Sequence, residues 1–200
     1  MTTLSEPEIA SLLRPYLIPP PALLPQLSAY LELLLKWNAR TNLTAIREPE
    51  EIVRRHFGES LFAGRHVGDC DTLLDLGSGA GFPGIPIALL RPEIQVTLAE
   101  SQNKKATFLR EVVRTLGLPN VEVWTGRAEA MPVERRFDTV TLRAVDNMAA
   151  ALNAAESRAA RQIAVLTSAS TAPVFIGFSN QARISIPDSY GRILLIGNRN

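Results

Sequence analysis

Leu73 to Leu90 reads LLDLGSGAGFPGIPIALL: an apolar run, glycines at 77, 79, 81 and 84, and a second apolar run, with prolines at 83 and 86. Glycine adopts positive φ without penalty and lets other atoms approach the backbone closely. Placed directly after a strand, such a cluster gives a tight turn. It also leaves room for a ligand at the carboxyl end of a parallel sheet, where the N–H groups opening the next helix are unpaired. Pro83 and Pro86 suit a first helical turn, where no N–H partner is lost. This stretch therefore predicts a strand, a ligand-facing turn and a helix.

The chain around it alternates in the same way. TLLDL (72–76), QVTLAE (95–100), VEVWT (121–125), DTVTLR (138–143) and IAVLT (163–167) read as strands, with helices between them at 84–91, 102–116, 127–131 and 147–160. Alternation at this spacing predicts an α/β chain, a mostly parallel sheet covered on both faces. ARISIP (182–187) and GRILLIG (191–197) have only a short turn between them and predict a closing antiparallel hairpin at the sheet edge. Ahead of the alternation, helical apolar spacing over Glu6–Leu17 and Leu23–Trp37, separated by Pro19, Pro20 and Pro21, and a third helix from after Pro49 to about Ala63, predict a small helical cap. The expected organisation is a cap over 1–68 and a sheet domain over 69–200, packed as one compact unit.

Composition narrows the class. No apolar run approaches the roughly 20 residues that span a bilayer. MTTLSEPEIASLL lacks the basic start and apolar block of a secretion signal. The one cysteine, Cys70, excludes an internal disulfide and a multi-cysteine metal cluster. A cytoplasmic protein without metal is expected. The net charge is +1, so any nucleic-acid surface has to be a local patch.

Gly79-Ala80-Gly81-Phe82-Pro83-Gly84 satisfies the G-x-G-x-x-G dinucleotide pattern. The fuller run, Asp75-Leu76-Gly77-Ser78-Gly79-Ala80-Gly81, resembles the first motif of S-adenosylmethionine-dependent methyltransferases. Glu100 closes the second strand, where a carboxylate can accept from a ribose diol in either cofactor class. Gly126-Arg127-Ala128-Glu129 follows the third strand at the station of an adenine ring, and Phe82 can pack on the cofactor. Arg143 ends the fourth strand; its guanidinium can hold a methionine carboxylate, a phosphate or a guanine edge.

The methyl acceptor is narrowed by absences. The Asn- or Asp-Pro-Pro-aromatic run of exocyclic-amine methyltransferases is replaced by Leu142-Arg143-Ala144-Val145, and Cys70 is in the wrong place to be the nucleophile of a pyrimidine C5 methyltransferase. Methylation of a lone-pair atom such as guanine N7 needs no general base, so positioning and exclusion of water suffice.

Taken together, Lys36-Trp37-Asn38 with Asn42-Leu43-Thr44, Arg55-His56 with Ser60, LDLGSGAGFPGIPIA, Ser101 with Lys104-Lys105 and Phe108-Leu109, Gly126-Arg127-Ala128-Glu129 and Arg143-Ala144 resemble the RsmG (GidB) family over roughly residues 30–150. The resemblance implies a Rossmann-like methyltransferase fold, S-adenosylmethionine as cofactor, and methylation of guanine N7 in 16S ribosomal RNA, naked or in a small-subunit assembly intermediate. It implies a cofactor pocket of Gly77, Gly79, Phe82, Glu100, Ala128, Glu129 and Arg143, with Arg143 also positioning the reactants. Arg55, His56, Lys104 and Lys105 are the candidate RNA contacts, and Trp37 and Asn38 are expected to lock the cap to the sheet domain. The chain departs from the family pattern at Glu59, where Asp is usual, and at Leu166-Thr167-Ser168, where the family has Leu-Lys-Gly. A methyltransferase for a small molecule or protein, and a non-catalytic RNA- or ribosome-binding protein on the same fold, are the alternatives. A nicotinamide-dependent oxidoreductase fits Asp75 and the alternating glycines poorly.

Overall fold

Consecutive residues of a strand face opposite sides of a sheet, and Leu73 and Leu74 divide the core accordingly. Leu73 packs with Val96, Leu98, Ile85, Ile87, Phe108 and the N-terminal helices. Leu74 packs with Val140, Leu142, Ile163, Val165 and Ala155 on the other side. A computed structural model describes residues 4–145 and 147–199, with Asn180 by its backbone alone. Met1–Thr3, Asp146 and Asn200, which the expected segments 1–68 and 69–200 include, lie outside the described residues.

The sheet has seven strands: β1 (Thr72–Leu76), β2 (Gln95–Glu100), β3 (Val121–Thr125), β4 (Phe137–Arg143), β5 (Ala159–Ser168), β6 (Ser179–Ser185) and β7 (Arg192–Asn198). Their order is β3-β2-β1-β4-β5-β7-β6. β1 to β5 are parallel; β7 runs antiparallel between β5 and β6. The expected closing hairpin is present, and its second strand is the one that joins the sheet. The order reverses at β1, which pairs with β2 on one side and β4 on the other. A crevice at the carboxyl ends of the strands is the natural ligand site of such a sheet.

Helices α1 (Glu6–Leu13), α2 (Leu23–Asn38), α3 (Pro49–Glu51), α4 (Glu59–His66), α5 (Gly84–Leu90), α6 (Asn103–Leu116) and α7 (Met148–Arg158) complete the fold. The carboxylate of Glu8 caps α1 by accepting from the N–H and hydroxyl of Ser5. In α2, Leu27, Tyr30, Leu31 and Leu34 recur at helical spacing and are buried. α6 buries Ala106, Phe108, Leu109, Val112 and Leu116, and ends at Gly117 in the left-handed conformation. The helix expected over 127–131 is a three-residue 3-10 turn, Ala128–Ala130, too short to repay helix nucleation before Pro132.

The third helix is longer than its apolar pattern indicated. α3 runs into a π-helical stretch, Ile52–Gly58, and on into α4. π-turns are rare and concentrate at functional sites; this one carries Arg55 and His56. A Cβ on Gly58 would come within 2.5 Å of the Tyr16 ring, so only glycine lets Tyr16 pack here.

Trp37 joins α2 to α6, donating from Nε1 to Glu111 (3.1 Å) and meeting Phe108 edge-on. Asn38 acts locally. Its Oδ1 accepts from the N–H groups of Leu43 and Thr44, and its Nδ2 donates to the Thr44 and Ile46 carbonyls. It shapes the 39–46 loop that borders the crevice.

Candidate functional site

The glycines after β1 fall into two groups. Gly77 (φ 72°), Gly79 (φ 59°) and Gly81 (φ 93°) all adopt the left-handed region. At Gly79 a Cβ would meet nothing nearer than the Gly77 carbonyl at 3.8 Å, so its hydrogen face is open. At Gly81 and Gly84 there is no such room. A Cβ at Gly81 would strike Ile85 and the Tyr30 hydroxyl, and one at Gly84 would strike Leu98 and the Asp75 carboxylate (2.8 Å to Oδ2). Two of the four glycines thus serve internal packing.

Asp75 is the anchor of that packing. It is buried, and its carboxylate accepts from Gly84 N–H (3.0 Å) and the Thr141 hydroxyl (3.0 Å). Burial raises its pKa to about 6 against the opposing pull of these hydrogen bonds. It holds the loop and the start of α5 together from below. From above, the Tyr30 hydroxyl donates to the Ala80 carbonyl (2.5 Å).

Around this loop opens a cleft of about 500 Å³. Gly77, Gly79, Phe82, Glu100, Arg143, Arg55, His56 and Lys105 line it together. Ala128, Glu129 and Lys104 are not among its walls. Ala128 is buried and Glu129 exposed in the turn after β3, whose entry is tied to the end of β2 through Gly126 N–H donating to the Glu100 carbonyl (3.0 Å). Lys104 is exposed on the first turn of α6. The 43–46 loop and Arg192, neither among the expected site residues, also line the cleft.

Glu100 accepts from Gly79 N–H (2.9 Å) and Gln102 N–H (2.7 Å). A carboxylate has about four acceptor positions, so a diol can still be served. Phe82 is stacked against both Tyr30 (5.4 Å between centroids) and His56 (4.7 Å). Ala144, next to Arg143 and also on the cleft wall, has φ 48°, a conformation alanine adopts only when its surroundings impose it.

Arg143 and His56 define the electrostatics. The Arg143 side chain is 6% exposed. Nη2 donates to the Arg55 carbonyl (2.7 Å) and lies 3.3 Å from Glu59, while Nη1 is buried without a partner among the described residues. Burial lowers its pKa to about 10, so it stays a cation. His56 Nε2 is 2.7 Å from the Thr44 hydroxyl, and its Nδ1 is likewise buried and unpartnered. Burial, then Arg143, Arg55 and Arg192, push the His56 pKa down to about 2. The imidazole is therefore held neutral near pH 7. Among the described residues no cluster of three or more His, Cys, Asp or Glu side chains forms a metal site, and no helix is long and apolar enough to cross a membrane.

An open glycine at positive φ and a carboxylate with spare acceptor positions fit a cofactor with a ribose diol, and the buried guanidinium N–H without a partner among the described residues fits an anion. The comparisons point the same way. Residues 23–170 match the family model described as rRNA small subunit methyltransferase G, GidB. Curated relatives named ribosomal RNA small subunit methyltransferase G include that of Nitrosomonas europaea, 50% identical over 62% of this chain and 57% of the relative. The Stenotrophomonas maltophilia relative is 52% identical over 64% and 60%, and that of Xylella fastidiosa is 50% identical over 70% and 63%. The chain thus spans about three fifths of the curated relatives it matches. Among solved structures, TYW2 of M. jannaschii in complex with AdoMet superposes with a TM-score of 0.57 at 13% identity, covering 72% of this chain and 74% of that one. A predicted O-methyltransferase from Agrobacterium tumefaciens superposes with a TM-score of 0.56 at 21% identity, covering 70% and 80%. These likenesses establish a Rossmann-like fold shared with S-adenosylmethionine-dependent methyltransferases.

Proposed function

Since the chain belongs to the GidB family of small-subunit ribosomal RNA methyltransferases, we propose that it transfers a methyl group from S-adenosylmethionine to N7 of a guanine in 16S ribosomal RNA. The observation that carries this reading is the cleft itself, which joins the glycine loop, Glu100 and Arg143 at the carboxyl ends of β1, β2 and β4. Gly77, Gly79 and Phe82 border the methionine end of the cofactor, Glu100 takes the ribose diol, and Ala128 and Glu129 read the adenine edge. The segment 1–68 serves as a cap on this site, a role supported by the Tyr30–Ala80 and Trp37–Glu111 hydrogen bonds.

When bound, S-adenosylmethionine supplies an electrophilic methyl group. Guanine N7 carries a lone pair and no proton, so no residue has to act as a base. That requirement matches a site whose histidine is held neutral and whose buried Asp75 carboxylate is turned inward on Gly84 and Thr141, while Glu59 is held by three arginines and Glu100 by the N–H groups of Gly79 and Gln102. The protein's work is then positioning. Arg143 orients the reactants with an N–H that has no partner among the described residues, the 43–46 loop and Phe82 exclude water, and Arg55, His56, Lys104 and Lys105 meet the RNA.

The test is methyl transfer from labelled S-adenosylmethionine to naked 16S RNA and to small-subunit assembly intermediates. Label in RNA is expected. Label only in small molecules or protein would favour that other class of acceptor, and RNA binding without transfer would favour a non-catalytic role.

A further inference from the structure

The buried Glu59 carboxylate faces three guanidinium groups. Arg192 forks onto it through Nε (2.7 Å to Oε1) and Nη2 (2.8 Å to Oε2). Arg55 Nε lies 3.1 Å from Oε1, and Arg143 Nη2 lies 3.3 Å from Oε2. Glu59 is wholly inaccessible to solvent, and all three arginines line the cleft. Among the described residues of this cluster, one carboxylate faces three guanidinium groups, a local excess of positive charge. The side chains of Arg55 and Arg192, both on the cleft wall, are 38% and 22% exposed. Arg143 Nη1 and His56 Nδ1 beside them are buried and have no partner among the described residues.

We infer that Arg55, Arg143 and Arg192, fixed in register by Glu59, form a phosphate-binding subsite that takes one backbone phosphate of the substrate strand beside the methylated base. The inference rests on the RNA-methyltransferase reading and adds to it a defined contact. Guanidinium forks match the paired oxygens of a phosphodiester. The strand order sets Arg192 apart from the ribose end of the cofactor. Glu100 on β2 and the turn after β3 lie to one side of β1, while Arg143 on β4 and Arg192 on β7 lie to the other. Arg192 stands opposite Ser168 of β5 on β7, three strands beyond β1, on the far side of the cleft from Glu100.

The experiment compares the wild-type protein with Arg192→Gln on the 16S RNA segment that carries the methylated guanine. RNA affinity is expected to fall about tenfold to a hundredfold, the loss of one charged hydrogen-bonded contact. The slope of log K against log salt is expected to shrink by about 0.7, the contribution of one single-strand phosphate. Affinities for S-adenosylmethionine and for methylthioadenosine, which lacks the carboxylate, are expected to be unaltered. Loss of affinity for S-adenosylmethionine alone would overturn the proposal and give the cluster to the cofactor's carboxylate. Unchanged RNA affinity and slope would overturn it as well. A variant-free arm guards against misfolding of Arg192→Gln: each phosphate of the RNA is replaced in turn by a neutral methylphosphonate and titrated against wild-type protein. One position next to the methylated guanine is expected to weaken binding by the same factor. If wild-type protein methylates the RNA and no phosphate position matters, the subsite is wrong and the functional reading stands. If it transfers no methyl to any RNA, both fall.

Discussion

Glu59 and Arg192, separated by 133 positions in the chain, meet in a two-point fork of 2.7 and 2.8 Å. The contact ties the start of α4 to the first residue of the last strand, and it does so at the wall of the cleft. Replacing Glu59 by Gln keeps its shape and removes the carboxylate that, among the described residues, pairs with Arg55, Arg143 and Arg192. Breaking a buried ion pair by deleting one partner costs about 3–5 kcal/mol. Glu59→Gln is therefore expected to lower stability by that amount in urea unfolding, with Glu59→Asp falling between it and the wild type.

His56 makes stability depend on pH. Its folded pKa is about 2 and its unfolded pKa is near 6.5. The neutral ring's contribution is thus complete above pH 6.5. It is lost as pH falls, because the unfolded chain takes up a proton the folded chain refuses. The stability difference between wild type and His56→Gln is expected to be flat above pH 7. Below pH 6 it should shift against the wild type by about 1.4 kcal/mol per pH unit. Asp75, raised to about 6 from 3.8, opposes this trend between those two values and cancels out of the difference. A pH-independent difference, measured by denaturant melts, would refute the buried neutral ring.

Two neighbouring glycines are expected to fail differently. Gly84→Ala forces a Cβ against Leu98 and Asp75 and should cost about 1–3 kcal/mol of stability. Gly79→Ala has open space and incurs only the left-handed backbone penalty of about 1–2 kcal/mol. Its larger effect should be on S-adenosylmethionine affinity. Thermal melts and calorimetric titration of the two variants check this separation.

Tyr30→Phe removes the hydroxyl that holds the Ala80 carbonyl and leaves that carbonyl buried. A loss of about 1–3 kcal/mol is expected, with cofactor affinity reduced because the glycine loop loses its upper anchor. Unchanged stability would mean that water replaces the hydroxyl.

Much of this architecture is legible in the sequence. β1 to β4 lie within a residue of the runs that predict them, because buried parallel strands are short apolar blocks bounded by turn residues. The crevice could be placed because a glycine turn after the first strand of such a sheet has one topological location. What could not be read depends on long-range packing. Periodicity does not separate the open glycine at 79 from the packed ones at 81 and 84. It does not show that Asp75 turns inward, that Asn38 organises its own loop, or that a π-turn lies at Ile52–Gly58. Arg192 was missed because it reads as the polar start of a hairpin strand, and only the β5–β7 register brings it to Glu59. Thr167, where the family resemblance leads one to expect a lysine, has a buried side chain that faces Thr171 (3.4 Å), while Arg192 pairs with the next residue, Ser168.

The central claim is that guanine N7 receives the methyl group. N7-methylation makes the base reducible by borohydride, and the RNA then breaks at that nucleotide under aniline. Small-subunit RNA incubated with the protein and S-adenosylmethionine should show one new break, at a guanine, that is absent without cofactor and absent with Arg143→Ala. Transfer of label into RNA with no borohydride-dependent break would place the methyl on another atom and contradict the account.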